Sequence, residues 1–248
     1  MVKFVGILNI TPDSFSDGGL YLNPRQAIIQ ARQLFTDGAA LVDVGAESTR
    51  PNAEKLTDEQ EWQRLEPAIK ELLVRYPGKI SLDSYHATTV RKTFEIGPVI
   101  VNDVTGLNQP DMLQAVIDLK STVIISHLPG SDIQAAHMSA SPIDDIQVVK
   151  DQLLSKAKHL INSGIEKQQI ILDPGIGFGK TMELNRGLLT FAELVPDFDV
   201  MIGYSRKRFL GEHRMELEPN LEAGRVAIAH SAKYLRVHDV KGHAKFLR

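Results

Sequence analysis

The chain has 248 residues, 43% of them hydrophobic and 24% charged, with a net charge of −3 and no cysteine; this balance fits a soluble globular protein with a full core. Lacking any long run of lysine or arginine, it has no electrostatic footprint of a nucleic-acid or membrane-surface binder. Without cysteine it has no disulfide, thiolate nucleophile or Cys-ligated zinc. The amino terminus offers one lysine and then an apolar run rather than a signal peptide, and no apolar stretch approaches ~18 residues, so a cytoplasmic location is expected.

Eight short apolar runs each lead to residues that can do chemistry. Lys3–Leu8 ends at Asn9. Ala27, Ala31, Leu34 and Phe35 then share one helical face, closed by Asp37–Gly38 as a C-cap. Ala40–Val44 carries Asp43 and opens onto Glu47, Ser48, Thr49 and Arg50. A capping signature from Thr57 to Gln60 starts a second helix with Trp62, Leu65, Ile69, Leu72 and Leu73 on one face. Lys79–Leu82 ends at Asp83, Val99–Val101 at Asn102 and Asp103, and Val123–Ile125 runs into Ser126 and His127. Ser141–Pro142 introduces a further stripe, Ile146, Val149, Leu153, Ala157 and Leu160, read as the fifth helix and ending at Ser163–Gly164. Ile170–Leu172 ends at Asp173, and Val200–Ile202 leads to Ser205, Arg206 and Lys207. Tyr234–Val237 encloses Arg236 and is followed by His238 and Asp239.

Such runs, rich in Val and Ile and separated by helix-length segments, read as parallel strands of βα units. Eight of them predict an α/β fold: one (β/α)₈ TIM barrel, a single domain over residues 1–248, with its active site on the rim at the strands' carboxyl ends. Three connections on that rim exceed the usual ~2–6 residues. They are Asn9–Asn23, Gly45–Leu56 and the stretch from Leu128 to Ser141, and they read as lids that order around a substrate.

The segment Asp173–Thr181 resembles a phosphate loop but fits neither Walker A nor the dinucleotide fingerprint, because Pro174 and Lys180 stand where glycines are needed. What remains is a strand-terminal carboxylate and a glycine loop that lets a flat ligand approach the main chain, with the Phe178 ring to cover it. Asp83 and Asp173, flanked by Asn102 and Lys207, offer acceptors, donors and a cation toward one spot, a set suited to a pterin or guanine. Arg50, Arg236 and His238 form a second, cationic zone suited to a phosphate or diphosphate. No histidine pair has metal-ligand spacing, so a bound metal would be Mg²⁺ on oxygen ligands, carried partly by substrate phosphates.

These segments are together recognisable. Gly6–Gly19, Asp43–Pro51, Ser81–Ser84, Asn102–Val104, Asp173–Lys180, Ser205–Lys207 and Arg236–Asp239 resemble, in order, the signatures of the bacterial dihydropteroate synthase family. That resemblance implies a (β/α)₈ barrel joining p-aminobenzoate to 6-hydroxymethyl-7,8-dihydropterin diphosphate in folate synthesis, by an SN1-like path. It implies that Asp83, Asn102, Asp173 and Lys207 hold the pterin. Asn9 would bind Mg²⁺ with the diphosphate, which Arg236 and His238 grip. Phe15 and Asp17, with Thr49, Arg50 and Pro51, would close over the site, and Phe178 and Lys207 would shape the p-aminobenzoate pocket. A homodimer is also implied. Ala46, the Ser126–Gly130 segment and Arg208 depart from the family pattern; Arg208 is expected to face solvent, and His127 is given no role. The rival readings are a pterin-dependent methyltransferase domain, which would lack the Thr11–Gly18 and Ser205–Lys207 segments, and a non-catalytic pterin-binding paralogue.

Overall fold

The computed structural model describes residues 1–11, 24–47, 49, 55–130, 133–137 (His137 by its backbone alone) and 140–247. The expectations for Phe15, Asp17, Arg50 and Pro51 lie outside the described residues. Eight strands, β1 (Lys3–Asn9), β2 (Leu41–Gly45), β3 (Ile80–Asp83), β4 (Ile100–Asp103), β5 (Val123–Ser126), β6 (Ile170–Asp173), β7 (Asp199–Ile202) and β8 (Tyr234–Val237), pair in parallel. β8 returns to β1 and closes the barrel. The helices are α1 (Pro24–Thr36), α2 (Asp58–Arg75), α3 (Ala87–Ile96), α4 (Pro110–Leu119), α5 (Ile133–His137), α6 (Ile146–Asn162), α7 (Met182–Gly187), α8 (Leu217–Ala229) and α9 (Val240–Phe246).

Alternation along each strand divides the core in two. Outward residues such as Phe4, Leu8, Val42, Val44, Leu82, Val101, Ile125 and Leu172 pack with the helices. Inward residues Val5, Leu41, Ile124, Ile171, Met201 and Tyr234 fill the lower barrel, with Ile100 against them. Two residues further along the same faces the inward set turns polar: Leu41 gives way to Asp43, Ile100 to Asn102, Ile124 to Ser126, Ile171 to Asp173 and Tyr234 to Arg236.

Most strands run a residue or two beyond the apolar runs that announce them. Asn9 pairs with Gly45, Gly45 with Asp83, Asp83 with Asn102, and Ser126 with Asp173. Neighbouring strands still supply hydrogen-bond partners there, so polar side chains do not end the ladder. Asn9, Asp83, Asn102 and Asp173 therefore stand on paired backbone rather than on loops.

The Thr57–Gln60 capping box is present, and Gly38 and Gly164 take φ of 107° and 103° after their helices. The third long connection departs from a plain loop. It contains α5, which makes the helix ending before Gly164 the sixth rather than the fifth. Leu128, Ile133 and Ala136 pack there with Val104 and Phe178. The Ile143 amide donates to the Gly179 carbonyl and its carbonyl accepts from Thr181. Ile124, 1% exposed in the closed interior, has neighbours on every side that cannot collapse into a void. Ile124→Ala is expected to cost about 2–5 kcal/mol, read as a lower denaturation midpoint at an unchanged slope.

Candidate active site

At the carboxyl ends of the strands lies one cavity lined by Thr49, Asp83, Asn102, Asp173, Phe178, Lys207 and Arg236, with Val104, Ser126, Gly175, Ile176 and Gly203 completing it. The four residues read from sequence as a heterocycle pocket, Asp83, Asn102, Asp173 and Lys207, are thus brought to one place from four different strands or strand ends.

One wall is the glycine loop after β6. Gly175 has φ of 64°, and a Cβ there would lie 2.1 Å from the His127 carbonyl oxygen, so no other residue fits without moving backbone. Its amide donates to Asp173 Oδ1 at 2.7 Å, which aims the carboxyl. Lys180 is buried and donates to the carbonyls of His127, Gly175 and Phe178 at 3.2, 2.8 and 3.0 Å. Burial pulls its pKa down to about 7, yet three acceptors match the three donors of an ammonium. Lys180 is the loop's inner clasp, a role the sequence reading missed. Lys207 closes the other side, donating to the Ile176 carbonyl at 2.6 Å and lying 4.8 Å from the Phe178 ring centre. Burial lowers Lys207 to about 8 although Asp173 opposes the shift.

The floor is acidic. Asp43 is fully buried below the rim and accepts from Asn102 Nδ2 at 3.0 Å and from Arg236 Nε at 2.6 Å, both on Oδ2. Arg236 Nη2 donates to Asp83 Oδ2 at 2.6 Å. Burial raises Asp83 to about 7 despite Arg236, and Asp43 adds to the rise. Burial also raises Asp173, against the Gly175 amide and Lys207. Arg236, expected with Arg50 and His238 in a second, cationic zone, lines this cavity and is held by both carboxylates. Two buried carboxylates draw it inward, and three of its five N–H groups remain for an anion.

His238 stands on the rim with Nδ1 2.9 Å from Ser205 Oγ. β8 pairs with β1, so His238 and Asn9 extend from adjoining strands. Arg208 is exposed, as expected. His127 is buried with Nε2 against Gln152, and burial drives its pKa to about 4; this is a packing role. Asp103 faces no ligand and accepts from the Thr105 amide, the Thr105 hydroxyl and the Leu107 amide.

The base of the second long connection holds a network that sequence reasoning did not assemble. Glu47 accepts from the Tyr85 hydroxyl and, at 3.3 Å, from the Leu56 amide at the connection's far end. His86 bridges Glu47 (3.2 Å) and Asp58 (2.8 Å), and Ser84 donates to the buried Glu61 at 2.7 Å. Only the carboxylate-rich spacing around Asp58–Glu61 hinted at it. Burial opposes a charge on His86, but Glu47, Glu61 and Asp58 outweigh that and hold it near 9. A histidine raised from 6.5 to about 9 on folding stabilises fully below the lower value, and that contribution is lost as pH rises through the upper one. Denaturant unfolding of the wild type and of His86→Gln across pH 6.5 to 9 is expected to show a loss of stability in the former that the latter lacks.

A family model described as pterin binding enzyme matches residues 5–238. The dihydropteroate synthase of Haemophilus influenzae is 32% identical over 257 residues, spanning 99% of this chain and 92% of that protein. The solved dihydropteroate synthase of Xanthomonas albilineans with 4-aminobenzoic acid is similar at a TM-score of 0.87 and 34% identity, over 98% of this chain and 90% of that one. The same enzyme in complex with 7,8-dihydropteroate gives 0.85 and 32%, over the same shares of the two chains. Because the family model matches residues 5–238 and relatives at 32% identity or more span nearly the whole chain, this chain belongs to the dihydropteroate synthase family of pterin-binding transferases.

Proposed function

We propose that this chain joins p-aminobenzoate to 6-hydroxymethyl-7,8-dihydropterin diphosphate, forming 7,8-dihydropteroate and releasing pyrophosphate in folate synthesis. The observation that carries this reading is the shared cavity of Asp83, Asn102, Asp173 and Lys207. Two carboxyls, an amide and an ammonium complement the amino, amide and ring-nitrogen edges of a pterin. Phe178 and Lys207, with Pro51, form the p-aminobenzoate side. Arg236, His238 and Arg50 receive the diphosphate, and Phe15, Asp17 and Thr49 cover it.

The carbon–oxygen bond to the diphosphate breaks with its electron pair leaving on oxygen, and the positive charge left behind spreads over the electron-rich ring. Asp83 and Asp173 stabilise that cation, while Arg236 and His238 stabilise the leaving anion. The aryl amine then forms the new carbon–nitrogen bond and gives its proton to solvent. Being neutral at pH 7, it needs positioning more than a base.

Among the described residues no group of three or more His, Cys, Asp or Glu gathers for a metal. The resemblance implies that Asn9, at the end of β1, would hold Mg²⁺ through its side-chain oxygen together with the substrate diphosphate, oxygen donors that suit Mg²⁺ rather than zinc. Such an ion would neutralise diphosphate charge. A cytoplasmic homodimer belongs to the same reading. No helix among the described residues is long and apolar enough to cross a membrane, and sedimentation tests the dimer.

Pyrophosphate release with both substrates tests the activity, and its absence would favour a non-catalytic pterin binder or a methyltransferase domain. Asp173→Asn is expected to lose roughly 1.5–3 kcal/mol of pterin binding and more in turnover, because a neutral amide does not stabilise the cation; an unchanged kcat with only a raised KM would contradict this. Asn9→Ala and His238→Ala should weaken Mg²⁺-dependent diphosphate binding in calorimetry and leave free pterin affinity near wild type.

A further inference from the structure

We propose that Asp43, which touches no ligand in the reading above, is the positioning residue that sets the pterin pocket's hydrogen-bonding pattern. This rests on the cavity being a pterin pocket. Asp43 stands on the inner face of β2, one inward position below Gly45, whose register partner is Asp83. Its carboxyl is fully buried and one oxygen serves two donors, Asn102 Nδ2 at 3.0 Å and Arg236 Nε at 2.6 Å. Both donors line the cavity, and each comes from a strand that is not a neighbour of β2 in the barrel order.

A carboxylate only accepts. Asn102 must therefore turn its NH₂ toward Asp43, and the amide cannot flip while that bond holds. The Asn102 carbonyl oxygen and its second N–H are left for the occupant, an acceptor beside a donor. That pair recognises a ring edge with one N–H beside one bare nitrogen. The same Asp43 oxygen fixes the Nε edge of Arg236, and the Arg236 Nη2 bond to Asp83 follows from that pose. Asp43 thus couples three ligand-facing side chains without reaching the ligand. An asparagine at this position would keep the shape and lose the coding, since its own NH₂ can face Asn102 and reverse it.

The test is calorimetric titration of pterin into the wild type, Asp43→Asn, Asn102→Ala and the double variant, with melting temperatures alongside. Asp43→Asn is expected to bind pterin about tenfold more weakly, at a lowered Tm because Arg236 loses a buried carboxylate partner. In the Asn102→Ala background the same change should cost clearly less, because one of the residues it acts through is gone while Arg236 remains. An equal factor in both backgrounds, or wild-type affinity in Asp43→Asn, overturns the inference while leaving the pocket assignment standing. Failure of the wild type to bind pterin overturns both. If Asp43→Asn does not fold, ¹⁵N spectra of the wild type decide. The Asn102 side-chain amide, identified by its loss in Asn102→Asp, should show one proton shifted downfield and slow to exchange. Two fast-exchanging protons at ordinary positions would refute the bond.

Discussion

In a closed parallel barrel the inner face of every strand looks onto one narrow axis, so a charge placed there is surrounded by protein. The lower half of this axis avoids the difficulty with Val5, Leu41, Ile124, Ile171, Met201 and Tyr234. The upper half accepts it, with Asp43, Asp83, Asn102, Asp173 and Arg236 on the same inward faces. Taking an ion from water costs several kcal/mol even after relaxation, and removing one member of a buried pair leaves the other uncompensated. Arg236 between Asp43 and Asp83 is the arrangement that makes the polar half tenable. It also limits which side chains can turn freely toward a ligand.

The wall of the site solves a different problem. A loop of alternating glycines has little intrinsic preference for one conformation, yet here Gly175, Gly177 and Gly179 hold positive φ in a fixed arrangement. Lys180 gathers three carbonyls from below, Asn185 takes the Gly177 amide at 2.6 Å, and Lys207 takes the Ile176 carbonyl from the cavity side. The third long connection packs over the loop through Leu128, Ile133 and Ala136. A segment that resembles a phosphate cradle in sequence has most of its polar reach turned toward its own backbone, leaving the Phe178 ring and the Asp173 carboxyl as its functional surface.

The barrel and the gathering of Asp83, Asn102 and Asp173 at one cavity were legible in sequence because the fold ties chemistry to a place that periodicity reveals. A strand's last residue is on the rim whatever its neighbours are, so Asp83, Asn102 and Asp173 could be named from their positions alone. What could not be read was the direction of a long side chain and the pairing of remote ones. Asp43 meets Asn102 across 59 positions and Arg236 across 193, a separation at which no local pattern survives. Arg236 could be read as a cation suited to a phosphate, but not its two carboxylate partners. α5 escaped notice for a related reason: five residues are too few to show a helical period. Charge in the middle of β2, between Val42 and Val44, was the one signal available for Asp43, since such a strand should be apolar on both faces.

The charges around the cavity bear on the reaction itself. Asp43, Asp83 and Asp173 stand near Arg236 and Lys207, with buried Lys180 behind the glycine loop close to Asp173. Burial disfavours charge on these carboxyls, raising Asp83 to about 7 and Asp173 with it against the pull of Arg236 and Lys207. In the proposed reaction, a ring that turns cationic as its diphosphate leaves would place a positive charge beside these carboxyls. It would draw Asp83 back toward its ordinary ionised form at the moment the bond breaks. The floor is thus better matched to the cation than to the neutral pterin that precedes it, which is the differential stabilisation that lowers a barrier rather than merely tightening binding.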